Sequence, residues 1–477
     1  MNGEVNLGIH EECGVFGIFS RTGGNGISQS CYYGLFALQH RGQESCGIAV
    51  NDDGKITCLK DMGLVGEVFN HDNLDKLKGT IAIGHVRYST TGSSTKDNAQ
   101  PLVSQYVKGT ISIAHNGNLT NCNTLRKELE DNGAIFQTTV DSEVIAYMVA
   151  GARSVSPSIE NAVRSVMEKI EGGYALLVMS PRKLIAARDP YGLKPLVMGE
   201  LNGDTVFASE TCALSACGAS FIRDVEPGEI VIADDDGVHS VMTPARKRAG
   251  CIFEYIYFAR PDSVIDGVSV YESRIKAGKL LYEQYPVDAD IVIGVPESGL
   301  DAALGFSQAS GIPYVKGFVK NNYIGRTFIK PSQEQRQDSV RIKLNPIESA
   351  VKGKRVVMTD DSIVRGTTIA NIVRMLRQAG ALEVHVRISS PPFLYPCYYG
   401  TDVPSREKLI AVKHTIPQIC QMIGADSLGY LDVNSLHELT GLKEGQKNFC
   451  DACFTGDYPN AEYGIDLLNG GGEDLEK

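Results

Sequence analysis

The chain has 477 residues, 43% of them hydrophobic and 22% charged, which suits two or three domains with full cores and excludes a disordered chain. Its net charge of −11 argues against nucleic acid as a partner, and no apolar run approaches the ~18 residues of a membrane span. The acidic opening MNGEVNLGIHEE lacks a secretory apolar core, so a cytoplasmic protein is expected, in which patterned members of the twelve cysteines serve metal binding or catalysis rather than disulfides.

Up to about residue 245 the pattern is β-rich. Residues 14–19, 80–85, 110–115, 174–179 and 229–234 carry alternating or continuous apolar residues between turn signals, as strands do. Helical spacing falls between them, over 142–152 and 158–171. Together they predict layered sheets covered by helices. The basic stretch 245–249 reads as a boundary. Beyond it, strands at 290–295, 355–359 and 382–389 bracket a helix over 367–378. Its face of Ile369, Ile372, Val373 and Leu376 is apolar, and Gly380 can close it. A strand–helix–strand order of this kind predicts a parallel sheet. The Gly- and acid-rich tail, 464–477, reads as disordered.

The segment from Val356 to Thr368 (VVMTDDSIVRGTT) is the most specific. A strand ends in Asp360 and Asp361, and after Ser362 and Arg365 the residues Gly366, Thr367 and Thr368 open a helix. Free N–H groups and the positive dipole end suit a phosphate there. Two carboxylates at a strand end suit sugar hydroxyls and Mg²⁺. The plainer reading is a βα turn with solvated acids. The ending is not that of a Walker loop. Residues 294–299 (GVPESG) follow another strand. Lys320, Arg326, Arg336, Arg341 and Lys343 concentrate positive charge, as a pyrophosphate leaving group requires, although a solvated loop would look similar.

In the first half, Cys13 opens an apolar strand, where a core thiol is the ordinary reading. Residues 84–90 (GHVRYST) place Arg87 and Tyr88 on a strand. His115, Asn116, Gly117 and Asn118 contain the strongest short turn signal, and Asp141 is placed to cap a helix. Near the other end, Cys450 and Cys453 form a C-x-x-C that Cys251 and Cys397 could complete to four thiolates. Zinc and iron–sulfur both accept such a set, and four unrelated buried thiols are the third reading.

Taken in order, these motifs resemble two known families on one chain, and jointly the amidophosphoribosyltransferase family over about residues 13 to 455. The 356–368 segment resembles the signature of type I phosphoribosyltransferases for phosphoribosyl pyrophosphate (PRPP). GVPESG, with Ser298, resembles their second sugar and metal loop, and 318–329, with Lys320 and Arg326, their catalytic loop. The first half resembles an N-terminal-nucleophile glutamine amidotransferase. That resemblance implies an αββα sandwich over 13–245, after a propeptide of residues 1–12, and a parallel sheet flanked by helices over 246–463. It implies Cys13 as nucleophile, its own α-amine as proton acceptor, and Asn116 and Gly117 as oxyanion donors. Arg87, Tyr88 and Asp141 would bind glutamine. Asp360, Asp361, Ser362, Arg365, Gly366, Thr367 and Thr368 would bind PRPP, with Mg²⁺ on Ser298, Asp360 and Asp361. One branch of the family is similar in having a propeptide and a [4Fe–4S] cluster on cysteines at the positions of Cys251, Cys397, Cys450 and Cys453. The family further suggests a homotetramer inhibited by purine nucleotides, and the first committed step of purine synthesis, giving 5-phosphoribosylamine. A PRPP-sensing regulator without catalysis is the competing reading. It would call for a damaged Cys13 or catalytic loop, or an added DNA-binding helix pair, and none is visible in the sequence.

Overall fold

In a computed structural model, residues 13–460 are described except 25, 89–93, 245, 322–343, 402, 404 and 444. The expected propeptide, Arg326 with most of the expected catalytic loop, and the tail lie outside the described residues.

Two antiparallel sheets build the first half. One has seven strands in the order Ser220–Asp224, Val197–Leu201, Asp204–Ala208, Gly14–Phe19, Ile81–Arg87, Ser45–Asp52, Lys55–Met62. The other has six, in the order Gly237–Met242, Glu229–Asp234, Leu184–Arg188, Gly172–Met179, Gly109–Leu119, Leu102–Tyr106. Successive side chains of a strand point to opposite faces, and both faces are covered here. In Gly14–Phe19, Val15 and Phe19 pack between the sheets with Ala175, Leu177 and Leu184. Phe16 and Ile18 of the same strand pack outward on helices Ile27–Ala37 and Thr211–Cys217. Helices Asp141–Val155 and Ile159–Met167 cover the second sheet through Ile145, Val149 and Val163. The result is the layered αββα arrangement. The 158–171 helix ends early, at Met167, because Ile170 turns into the core and the strand starts at Gly172.

In the second half a parallel sheet runs in the order Ile291–Gly294, Arg355–Asp360, Glu383–Ile388, Ser427–Tyr430. Helices Val270–Gln284 and Gly299–Ser310 pack on one face through Leu280, Ala303 and Phe306 against Val292 and Val357. Helix Thr367–Gln378 packs on the other, and its Ile372 and Leu376 meet Val356 and Met358. Gly380 follows this helix with φ +91°, as its sequence position suggested. Strand Gly250–Cys251 pairs in parallel with Phe449–Cys450, which ties the start of this half to its end. The halves also touch directly: Asn118 Nδ2 donates to the Tyr398 carbonyl at 2.9 Å, and Cys251 N–H to the Leu193 carbonyl at 3.2 Å. No helix among the described residues is long and apolar enough to cross a membrane.

Candidate active sites

Cys13 sits at the head of strand Gly14–Phe19, beside the end of Ile81–Arg87, where Gly14 pairs with Val86. Its thiol donates to the Tyr88 carbonyl at 3.5 Å, and its own carbonyl accepts from Arg41 Nε at 3.0 Å. Burial pushes the thiol pKa up. The Tyr88 carbonyl, Arg87 and Lys194 act against that, and Asp141 adds to it, so three charges act on one sulfur. Arg87 and Asp141 are 2% and 5% exposed, and a charge so placed persists only with a partner.

The sequence pattern His115 to Asn118 is not the turn its Asn-Gly suggests. It lies within strand Gly109–Leu119, which continues straight through it and pairs with Gly172–Met179. Tertiary pairing overrides the local turn preference. The Asn116 side chain is fully buried, and neither its Nδ2 nor its Oδ1 has a hydrogen-bond partner among the described residues. A buried amide left unpaired costs about 1–3 kcal/mol, so a site this conspicuous points to a ligand group that completes it. Asp141 is not the helix cap. That position falls to Val140, and Asp141 is the first helical residue. Its Oδ2 accepts from Leu119 N–H at 3.0 Å, and its Oδ1 lies 3.4 Å from His115 Nδ1. Burial opposes ionisation of this carboxyl, but His115, the Leu119 N–H and Ser142 outweigh it and hold the pKa below its usual value.

In the second half, Asp360 ends a strand and Asp361 begins the loop, both almost fully buried. Ser298 Oγ donates to Asp361 Oδ1 at 2.6 Å, and Ser362 Oγ donates to Oδ2. Burial raises both carboxyls, and the charge of Asp361 pushes Asp360 up further. Gly366, at φ +81°, turns the chain into helix Thr367–Gln378, which has no side-chain cap. Its first N–H groups are therefore open to a ligand. Arg365 and Thr367 are exposed beside it. Lys320, on strand Phe318–Lys320, lies 3.6 Å from Glu297, so the 294–299 loop and the start of the expected catalytic loop are neighbours.

Cys251, Cys397, Cys450 and Cys453 all line one small cavity, with Lys194, Phe253 and Tyr399. Cys450 ends a two-residue strand and Cys453 lies in the helical turn Ala452–Thr455. Tyr399 N–H donates to Cys397 Sγ at 3.4 Å. Among the described residues no group of three or more His, Cys, Asp or Glu is drawn together tightly enough to hold a metal ion.

Comparison with known proteins accounts for this pairing of sites. The glutamine amidotransferase domain family matches residues 85–216. Over the whole chain, the amidophosphoribosyltransferase of Bacillus subtilis is 48% identical across 460 residues, 96% of this chain and 96% of that protein. The chain belongs to the amidophosphoribosyltransferase family. The enzyme of that name from Methanocaldococcus jannaschii is 49% identical across 464 residues, covering 94% of this chain and 97% of its own. A chloroplastic amidophosphoribosyltransferase of Arabidopsis thaliana is 48% identical over 100% of this chain and 83% of its own. Two solved structures superpose closely. That of the B. subtilis glutamine PRPP amidotransferase complexed with ADP and GMP has a TM-score of 0.87 at 48% identity, covering 94% of this chain and 97% of that one. Another, described as the allosteric regulatory enzyme of purine biosynthesis, has a TM-score of 0.88 at 48% identity, covering 94% of this chain and 96% of that one.

Of the residues that likeness to the amidophosphoribosyltransferase family singled out, the structure brings Cys13, Arg87, Tyr88 and Asp141 together, with Asn116 and Gly117 on the strand that Asp141 anchors. It also groups Ser298, Asp360, Asp361 and Ser362 at one sheet edge, and the four cysteines around one cavity. Lys194 and Arg41 escaped the sequence reading. Each is a lone polar residue in an unremarkable segment, and only tertiary burial, 1% exposure in both cases, marks it out.

Proposed function

We propose that this chain transfers ammonia from glutamine to PRPP, releasing glutamate, pyrophosphate and 5-phosphoribosylamine. The observation that carries the glutamine half is the Cys13 thiol, on which the charges of Arg87, Asp141 and Lys194 act, together with a buried Asn116 amide that lacks a partner among the described residues. Arg87 presents a fork to the glutamine α-carboxylate and Asp141 an acceptor to its ammonium. The sulfur attacks the side-chain carbonyl carbon, and Asn116 Nδ2 and the Gly117 N–H receive the charge that develops on oxygen. The thiol proton passes to the Cys13 α-amine and on to the departing ammonia. Water then cleaves the thioester, and glutamate leaves. The α-amine can do this only once the bond before Cys13 is cut, so residues 1–12 are a propeptide in this reading.

At the second site, ammonia forms a bond to the ribose C1 as the bond from C1 to pyrophosphate breaks. Asp360 and Asp361 hold the ribose hydroxyls, the open helix start with Thr367 and Thr368 holds the 5-phosphate, and Lys320 offsets charge on the leaving group. Mg²⁺ is supported by the donor set. Two carboxylates and Ser298 form the partial protein shell that this ion completes with water and substrate oxygens, and Mg²⁺ supplies charge neutralisation on pyrophosphate.

The cysteine cavity supports a metal group on thiolates, since Cys251, Cys397, Cys450 and Cys453 all line it, a donor set that zinc and a [4Fe–4S] cluster both accept. Likeness to the iron–sulfur branch of the family favours the cluster. The Tyr399 N–H to Cys397 and the charge of Lys194 suit an anionic thiolate set. The reaction requires no redox step, so the group serves to hold the 395–455 region together. Purine nucleotides as inhibitors, a homotetramer and a cytoplasmic location complete the reading; the ADP and GMP bound to the B. subtilis relative support the first.

Cys13→Ala tests the division of labour. Glutamine-dependent synthesis should fall at least about a thousandfold, with ammonia-dependent synthesis within about twofold of the parent. N-terminal sequencing should find Cys13 first in active protein and Met1 in the variant. Equal loss of both activities in a folded variant contradicts the assignment.

A further inference from the structure

Arg41 is 1% exposed and lies where the two halves meet. Its Nε donates to the Cys13 carbonyl at 3.0 Å. Its Nη1 donates to Glu210 Oε1 at 2.7 Å and to Glu254 Oε2 at 2.9 Å, and its Nη2 to Glu254 Oε1 at 2.6 Å. Glu210 belongs to the first half and is already engaged by His40 at 2.8 Å, by Arg260 N–H at 2.9 Å and by Ser263 Oγ at 2.7 Å. Glu254 belongs to the second half and meets the guanidinium as a two-pronged partner, the geometry that fixes an arginine in plane as well as in place. Both of its neighbours in that contact are 0–1% exposed, so water does not compete.

Glu254 is itself held from the far side. It opens the wide helical turn Glu254–Phe258. Arg274, 4% exposed, donates from Nε to the Tyr255 carbonyl at 3.0 Å, and from Nη2 to the carbonyls of Tyr257 at 2.8 Å and Ala259 at 2.7 Å. Arg274 also lies 4.0 Å from Asp301 and feels the charge of Asp361. Buried polar contacts thus run from the Cys13 carbonyl through Arg41 to Glu254, and Arg274 fixes the turn that Glu254 opens. Turns wound this widely are rare and concentrate at functional positions.

We infer that Glu254 is a positioning residue for glutamine hydrolysis: from the second half of the chain it fixes Arg41, and through Arg41 the backbone that carries the Cys13 thiol and α-amine. This rests on the reading of Cys13 as nucleophile. Glutamine itself is gripped by Arg87 and Asp141, on other elements, so a displaced Cys13 slows attack without weakening substrate binding. Shifts of about 1 Å in a reacting group cost on the order of a hundredfold in rate.

The test uses Glu254→Gln, which keeps the shape and removes the charge, and Glu254→Asp, which keeps the charge on a shorter arm. Glutamine hydrolysis and ammonia-dependent transfer are measured on the same full-length preparation, so the ratio cancels any misfolded fraction. Glu254→Gln should lower kcat for glutamine hydrolysis about 10- to 100-fold relative to transfer, with KM for glutamine within about twofold. Glu254→Asp should recover part of the loss, and alkylation of Cys13 by a small electrophile should slow in parallel. An unchanged ratio, or a loss expressed in KM alone, overturns the inference; if the Gln variant does not fold, the Asp variant is read by the same criteria. Cys13→Ala run alongside separates the two claims. Hydrolysis that survives in it refutes the nucleophile reading, whereas hydrolysis lost there but intact in Glu254→Gln refutes only the role of Glu254.

Discussion

Gly117→Ala isolates what the strand carrying the proposed oxyanion donors contributes. Gly117 has φ +145°, and a Cβ built there lies 2.0 Å from the Gly173 carbonyl oxygen and 2.8 Å from Tyr174 Cα on the paired strand. An ordinary carbon–oxygen contact is no shorter than about 3.3 Å, so the strands must part by about 1 Å. They cannot part toward the other side freely, since Gly400 packs there: a Cβ on Gly400 would itself lie 3.2 Å from the Gly117 carbonyl carbon. The backbone conformation adds about 1–3 kcal/mol of strain for any residue with a side chain. Moving the strand displaces the Gly117 N–H and Asn116 Nδ2 together, and losing one such donor lowers kcat by about 10²–10³. Glutamine-dependent synthesis should therefore drop by at least that factor, and the melting temperature should fall by roughly 2–4 °C per kcal/mol of strain. Ammonia-dependent synthesis, measured as pyrophosphate release from PRPP, should stay within about twofold. Wild-type glutamine turnover in this variant, or loss of both activities in step, refutes the argument.

Two further outcomes follow from the second half. The Asp360 carboxyl is raised well above its usual value by burial and by Asp361. A raised folded-state pKa leaves stability intact below the unfolded value of about 3.9 and removes it as pH rises through the folded value. In EDTA, Asp360→Asn should thus melt above the parent at pH 8, with the gap closing toward pH 4, while transfer fails with both glutamine and ammonia; a lower melting point at pH 8 or retained transfer refutes it. Protein purified without oxygen should be brown, with about four irons and four sulfides per chain, and Cys453→Ser should lose colour and melt lower because cluster binding adds to folding. A colourless, air-stable parent with one zinc per chain rejects the cluster.

Much of the fold was legible because burial on both faces leaves a plain mark. Gly14–Phe19 and Glu229–Asp234 read as strands at their observed limits, since each lies between two packed layers and carries apolar residues at nearly every position. Thr367–Gln378 was legible to the residue, because its apolar stripe is bounded by Gly366 and Gly380, both left-handed. The His115 to Asn118 segment carries a turn signal that the structure does not follow. Its signal is a local preference, and pairing along Gly172–Met179 outweighs it, with Gly173 opposite Asn118 making room for the close approach.

The sites divide along the same physical line. Residues that touch substrate in this reading sit at strand ends and loop starts, in short motifs where spacing carries chemistry, and Cys13, Arg87, Asp360 and Asp361 were all visible there. Residues that hold those groups in place sit on other elements and have no spacing to betray them. Arg41 lies in Gln39-His-Arg-Gly42, an ordinary polar helix exit, yet it joins Cys13 to Glu254. Glu254 alone carried a sign: one carboxylate inside the apolar run Ile252 to Phe258, 1% exposed. A charge in such a run is too costly to bury unpaired, so its presence required a cation from elsewhere in the chain. Sequence states that requirement, and only the packing of the two halves says that the cation is the one holding the Cys13 carbonyl.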